Sequence, residues 1–174
     1  MTKQKLIAII IICTVVFAGT IGGVVAYMIK ISQEKKGDFI PAEVSCTISE
    51  SFENNQKSNI TVANTSNIDV YIRVRMVTYW LDASGNVANK SATLPTFTIG
   101  ENWVKDADSD TYYYRLPVAT GAQTSNLLKT ALVLGSEDGY RQVVDIFAEA
   151  IQANPAEAAQ SSWGVTVSNG EITP

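Results

Sequence analysis

The sequence contains no histidine, which removes the usual general base, the Ser-His and Cys-His nucleophile pairs, and every HExxH zinc arrangement. The side chains left with chemistry to offer are carboxylates and thiols. Asp106, Asp108 and Asp110 stand at alternate positions, the spacing with which a calcium loop begins. Thr111 occupies the place of the glycine that the sharp turn requires, however, and no glutamate lies at the twelfth position. The segment therefore reads as an acidic hairpin turn ahead of Tyr112, Tyr113 and Tyr114, with calcium as the alternative. Two carboxylates could serve a glycosidase, but the acidic residues here fall mostly in turns and loops, at no spacing that marks a pair. A solvated surface explains them better, and no cofactor is implied.

At the amino terminus, Lys3 and Lys5 precede a run from Leu6 to Ile29 with no charged side chain. That is the pattern of an n-region followed by an h-region. Leu6 to Phe17 is densely aliphatic, whereas Gly19, Thr20, Gly22 and Gly23 loosen the rest of the run. Val24-Val25-Ala26 then offers Val24 and Ala26 to the pockets of a signal peptidase, so cleavage is expected between Ala26 and Tyr27. Lys30, Lys35 and Lys36 on the far side leave orientation unsettled. An uncleaved anchor extending to about residue 30 is the alternative, since such a run is long enough to span a bilayer as a helix.

Removal of residues 1–26 takes away Lys3 and Lys5 and leaves one soluble domain of net charge near −6. An acidic chain without clustered Lys or Arg lacks the footprint for a phosphate backbone, which argues against nucleic-acid binding. Contact with a membrane is expected only through the N-terminal segment. Cleavage also leaves Cys46 without a disulfide partner, and its place in an alternating segment predicts a buried, inert thiol.

The elements that would position these groups are mostly strands. Residues 27–38 read as a flexible arm or linker, because Ser32 to Asp38 is polar and aperiodic. The folded domain then occupies 39–174. Val44, Cys46 and Ile48 alternate with polar residues, and Ile60 and Val62 repeat the pattern after the turn-prone Glu53-Asn54-Asn55. Val70 to Leu81 is the strongest strand, with Val70, Ile72, Val74 and Met76 toward a core and Tyr71, Arg73 and Arg75 toward solvent. Asp82 to Asn86 predicts a hairpin with a return strand from Val87. Further strands are expected at Thr96–Ile99, Thr111–Val118 and Ser125–Leu134. Tyr140 to Ala153 fits both a helical stripe and alternation, and the strand reading is taken. Asn154 as N-cap and Pro155 at the first helical position predict a short helix ending near Trp163-Gly164. The sum is an all-β, antiparallel sandwich with a short C-terminal helix.

Several segments together carry a resemblance: Val24 to Tyr27, Phe39 to Val44, Asn64 to Arg73, Tyr79 to Asp82, Tyr112 to Val118, Ala148 to Ala153, and Trp163-Gly164. Their order and spacing resemble the TasA/camelysin-type exported proteins of Gram-positive bacteria over nearly the whole chain. The resemblance implies a jelly-roll-like β-sandwich, export through a SipW-type signal peptidase, and residence at the cell surface or in biofilm matrix. It further implies self-association or contact with other matrix proteins, in fibres where an N-terminal strand of one subunit completes a neighbour's sheet. Here that arm would include Tyr27, Ile29 and Ile31, which alternate with Met28, Lys30 and Ser32. Camelysin-type relatives have been classed as metallopeptidases, a label for which this sequence supplies no residues.

The expected function is therefore a non-enzymatic, secreted structural subunit. A membrane-tethered extracellular module presenting loops such as Asp82 to Lys90 to a glycan or protein is the alternative, and a carboxylate-dependent hydrolase ranks third.

Overall fold

The computed structural model describes residues 41–174, of which Ala42–Pro174 form one compact unit. Strand β1 (Cys46–Glu53) turns through Asn54 and Asn55, whose positive φ of 50° and 57° suit a two-residue hairpin, into β2 (Gln56–Asn64). Asn59, also at positive φ, and Ile60 lie opposite Glu50 alone, a bulge that bends the pair. Next along the chain come β3 (Val70–Leu81), β4 (Trp103–Lys105), β5 (Thr111–Tyr114), β6 (Leu132–Val133), β7 (Ser136–Glu137) and β8 (Tyr140–Gln152). The chain closes with helix α1 (Glu157–Trp163) and a hairpin of β9 (Thr166–Ser168) and β10 (Glu171–Thr173).

The strands make a three-stranded sheet ordered β1-β2-β6 and a five-stranded one ordered β4-β5-β3-β8-β7, antiparallel throughout. The chain changes sheet between β2 and β3, between β5 and β6, and again between β6 and β7. This is the alternation expected of a jelly-roll-like sandwich. Ile60 and Val62 from one sheet and Val70, Ile72, Val74, Met76 and Val144 from the other form the main core, closed by Trp103, Leu127, Leu128, Leu132 and Leu134. The alternation in Val70–Leu81 thus places its apolar residues as expected, and Tyr140–Gln152 is a strand.

The other face of β3 is not wholly solvated. Tyr71 is 2 % exposed, packed in a second cluster with Tyr113, Ala159, Val165 and Ile172. The helix and the β9-β10 hairpin lie over one end of the outer face, and Tyr71 Oη donates to Gly170 O at 3.1 Å. Arg73 sits below them, held by Glu149 at 2.6 Å and by the Trp163 ring at 4.8 Å. Only Arg75 and the rows beyond it meet the expectation of an open face.

Five expected elements are shorter or differently built. Asp82–Asn86 turns as predicted, but the return segment forms a single bridge, Val87 to Leu81. The chain then crosses the end of the sandwich, where Trp80 Nε1 donates to Ser91 O. Thr96–Ile99 contributes Phe97 and Ile99 to the core with one bridge, Ile99 to Leu128, instead of a ladder. β5 stops at Tyr114, before Pro117, which has no N–H to donate. Of Ser125–Leu134 only Leu132 and Val133 form a strand, with Leu128 held in its single bridge to Ile99. The helix begins at Glu157 with Ala156 at its N-cap and no side-chain cap, so Asn154 and Pro155 lie before it. Its first turn is held by backbone bonds to Pro155 O and Ala156 O instead, while Gly164 ends it at φ 71°, as the sequence indicated.

Tyr112, 2 % exposed beside Phe97, gives the core a pH signature. Burial first and the Asp110 carboxylate second push its phenol up to about 12. Because the folded-state value lies above the unfolded one, its contribution is intact below about pH 10 and is lost as pH rises toward 12. Urea unfolding should show a loss of about 1.4 kcal/mol at about pH 11 relative to pH 8, and Tyr112→Phe should lose that part of the slope.

Candidate functional site

β8 is bonded to β3 along nearly its whole length, from Arg141 opposite Leu81 to Gln152 opposite Val70. On its other side β7 covers only Tyr140 and Arg141, with one more bond from Gln142 N to Gly135 O. That bond fixes the direction of the even-numbered residues. In an extended strand alternate N–H and C=O groups point to opposite sides, so those of Val144, Ile146, Ala148 and Ala150 point away from β3. Among the described residues no strand pairs with them there. β1 is likewise the outer strand of its sheet. The two unpaired edges flank one seam of the sandwich.

The seam is an open groove of about 420 Å3 lined by Ile48, Glu50, Lys57, Asp145, Ile146 and Phe147. A smaller one of about 210 Å3 continues past Phe52, Leu134 and Val143. Phe52 and Phe147 are more than half exposed, unusual for aromatic side chains beside an edge. Charge along the seam is internally balanced. Lys57 Nζ lies 2.8 Å from Glu50, Asp145 accepts from Tyr79 Oη at 2.9 Å, and Glu149 holds Arg73. The bond to Asp145 raises the Tyr79 phenol above its ordinary value. Cys46 is half-buried against the core, and burial, then Glu149, push its thiol up. A raised thiol is mostly protonated near neutral pH, in line with the inert reading.

The structure does not bring the sequence-indicated aspartates together as a cation cage. Asp106 Oδ1 accepts from Asp108 N at 2.9 Å, closing the turn, and Asp110 pairs with Lys105 at 2.8 Å. Among the described residues no three of His, Cys, Asp and Glu are grouped to hold a metal. The Asp82–Lys90 loop is braced at both ends. Asp82 Oδ1 accepts from Ser84 N and Asn86 N, and Lys90 reaches Glu137 beneath the rings of Trp80 and Tyr140. Val24, Ala26 and Tyr27 at the expected cleavage point, and Tyr27, Ile29 and Ile31 of the expected arm, lie outside the described residues.

Asn64-Thr65-Ser66 matches a glycosylation sequon, but Asn64 is 1 % exposed and structural. Its Nδ2 donates to Ile68 O and Val118 O, and its Oδ1 accepts from Ser66 N. The open edge of β8 escaped sequence reasoning, because alternation marks a strand without saying how many neighbours it has. The β9-β10 hairpin did carry a signal, Asn169-Gly170 between short alternating runs, at φ 51° and 79°.

Comparison with protein families, curated proteins and solved structures gives no match for this chain. Among the described residues no helix is long and apolar enough to cross a membrane.

Proposed function

We propose that this chain is a non-enzymatic, exported structural subunit that assembles by adding a strand to the open edge of β8. The observation that carries the proposal is that the outward backbone groups of Val144, Ile146, Ala148 and Ala150 pair with no strand among the described residues and face a seam with exposed Phe52 and Phe147. A strand entering there would gain backbone hydrogen bonds for affinity and set alternate side chains against the seam for register. The occupant proposed is the segment 27–38 of a second copy, whose Tyr27, Ile29 and Ile31 alternate as such a strand needs. Cleavage after Ala26 by a SipW-type signal peptidase would free that segment, and the cell surface or biofilm matrix would be its place of work.

Sedimentation of the mature protein with and without residues 27–38 tests this. Polymers are expected only from the longer chain. Ala148→Pro should also abolish these polymers while leaving the β3 ladder intact, since the N–H it removes faces the seam. Monomers from both chain lengths at high concentration would defeat the proposal. Intact mass separates the tethered-module reading, which requires Met1 to Ala26 to be retained.

A further inference from the structure

The outer face of the five-stranded sheet is ordered in rows: Tyr71 beside Ile151, Arg73 beside Glu149, Arg75 beside Phe147, Val77 beside Asp145, Tyr79 beside Val143, and Leu81 beside Arg141. The C-terminal helix and hairpin cover the first two rows and stop. Beyond them Val77 is 44 % and Phe147 53 % exposed, and Arg75 and Arg141 stand in solvent. Two of the six rows thus have a built cover, and the other four, which include exposed apolar side chains, have none among the described residues.

Charge singles out the same part of the face. Residues 41–174 hold eight Lys and Arg against fifteen Asp and Glu. Five of the cations are in ion pairs: Lys57, Arg73, Lys90, Lys105 and Arg115. The three without an ion pair among the described residues are Arg75, Arg141 and Lys129; Arg75 stands opposite Phe147, and Arg141 lies farther along the same face, opposite Leu81. Two copies of so acidic a domain repel each other over most of their surface, so contact is favoured where unpaired cations gather. The complement borders the same face. Thr111 pairs with Arg75 in the ladder, and just before it lies the Asp106–Asp110 turn, with Asp108 exposed and unpaired. Guanidinium groups beside Phe and Val are also the composition that interfaces favour, because Arg is weakly hydrated for a cation.

We infer that this uncovered part of the face, centred on Arg75, Val77 and Phe147, docks a second copy of the chain through the acidic Asp106–Asp110 turn of each. The contact shares Phe147 with the seam but requires no pairing to the β8 edge. The few rows involved place it with small, reversible interfaces, so the association is weak and salt-sensitive.

Sedimentation velocity over a concentration series tests it, in an Ala148→Pro background where strand addition at β8 is blocked. Self-association is expected at about 50 mM salt and should weaken about tenfold or more at about 500 mM. Arg75→Glu, Phe147→Ser and Asp108→Lys should each weaken it by about tenfold, with thermal unfolding unchanged because all three side chains are exposed. Lys129→Glu, which alters the third cation without an ion pair among the described residues and lies away from this face, should leave it unchanged. A parent protein that stays monomeric throughout the series, or an Arg75→Glu chain that associates as tightly as the parent, would overturn the inference.

Discussion

Gly100→Ala is expected to destabilise the domain by about 3–5 kcal/mol, lowering the urea midpoint without moving any residue of the seam. A Cβ built on Gly100 falls 1.8 Å from the carbonyl oxygen of Asn126 and 2.9 Å from its carbonyl carbon. The obstacle is backbone, so no rotamer change relieves it. The two segments must separate, and they are joined by the bond from Gly100 N to Leu127 O at 2.8 Å. Leu127 and Leu128, 0 % and 2 % exposed, would be drawn out of the main core with them. Substituting Asn126 itself cannot rescue the variant, because every residue carries the same carbonyl. A midpoint within experimental error of the parent would show that the 98–101 segment yields freely, contrary to this packing.

Asn64→Ala should cost about 3 kcal/mol or more, although Asn64 is polar and lies in a sequon. Its amide spans the junction where β2 leaves its sheet and β3 begins. The two donated bonds, 2.9 Å to Ile68 O and 2.8 Å to Val118 O, and the accepted bond from Ser66 N at 2.8 Å satisfy three backbone groups. Alanine leaves all three without that partner at a buried site. Asn64→Asp separates the contributions. An ionised carboxylate can accept from Ser66 but faces two carbonyl oxygens, so its folded-state pKa is raised, and stability is lost as pH rises past the ordinary aspartate value of about 4. The Asp variant should therefore be closer to the parent at about pH 4 than at about pH 7. Equal midpoints at both would exclude the bonding pattern.

Both predictions concern residues that sequence patterning does not single out for their structural roles. Asn64 follows Ile60 and Val62 on the inward parity of its strand, but nothing local shows that its two carbonyl partners are Ile68 and Val118, one of them 54 positions away. Gly100 looks like loop punctuation, and only the approach of the Asn126 backbone makes it obligatory. The helix starts later than its composition suggests for a related reason. Asn154-Pro155 has the composition of a cap, but the backbone bonds that open the helix come from Pro155 O and Ala156 O.

The all-β class and the positions of the long strands are written in local patterning. Side-chain direction in a strand has a period of two that needs no distant information, so Val70–Leu81 and the Ile60-Val62 pair are legible without the fold. The absence of histidine likewise shows, with no coordinates, which chemistries lack their residues. Which edges remain open and which faces are covered depends instead on the folded chain. Tyr71 and Arg75 belong to the same alternating face, yet one is buried beneath the C-terminal hairpin and the other is exposed. The difference is made by a partner about 100 residues away, Gly170, whose carbonyl meets the Tyr71 hydroxyl. The edge of β8 is open for the complementary reason: its second neighbour, β7, is two residues long. Pairing is a contact between segments remote in sequence, whereas alternation is a property of one segment, and only folding brings the two together.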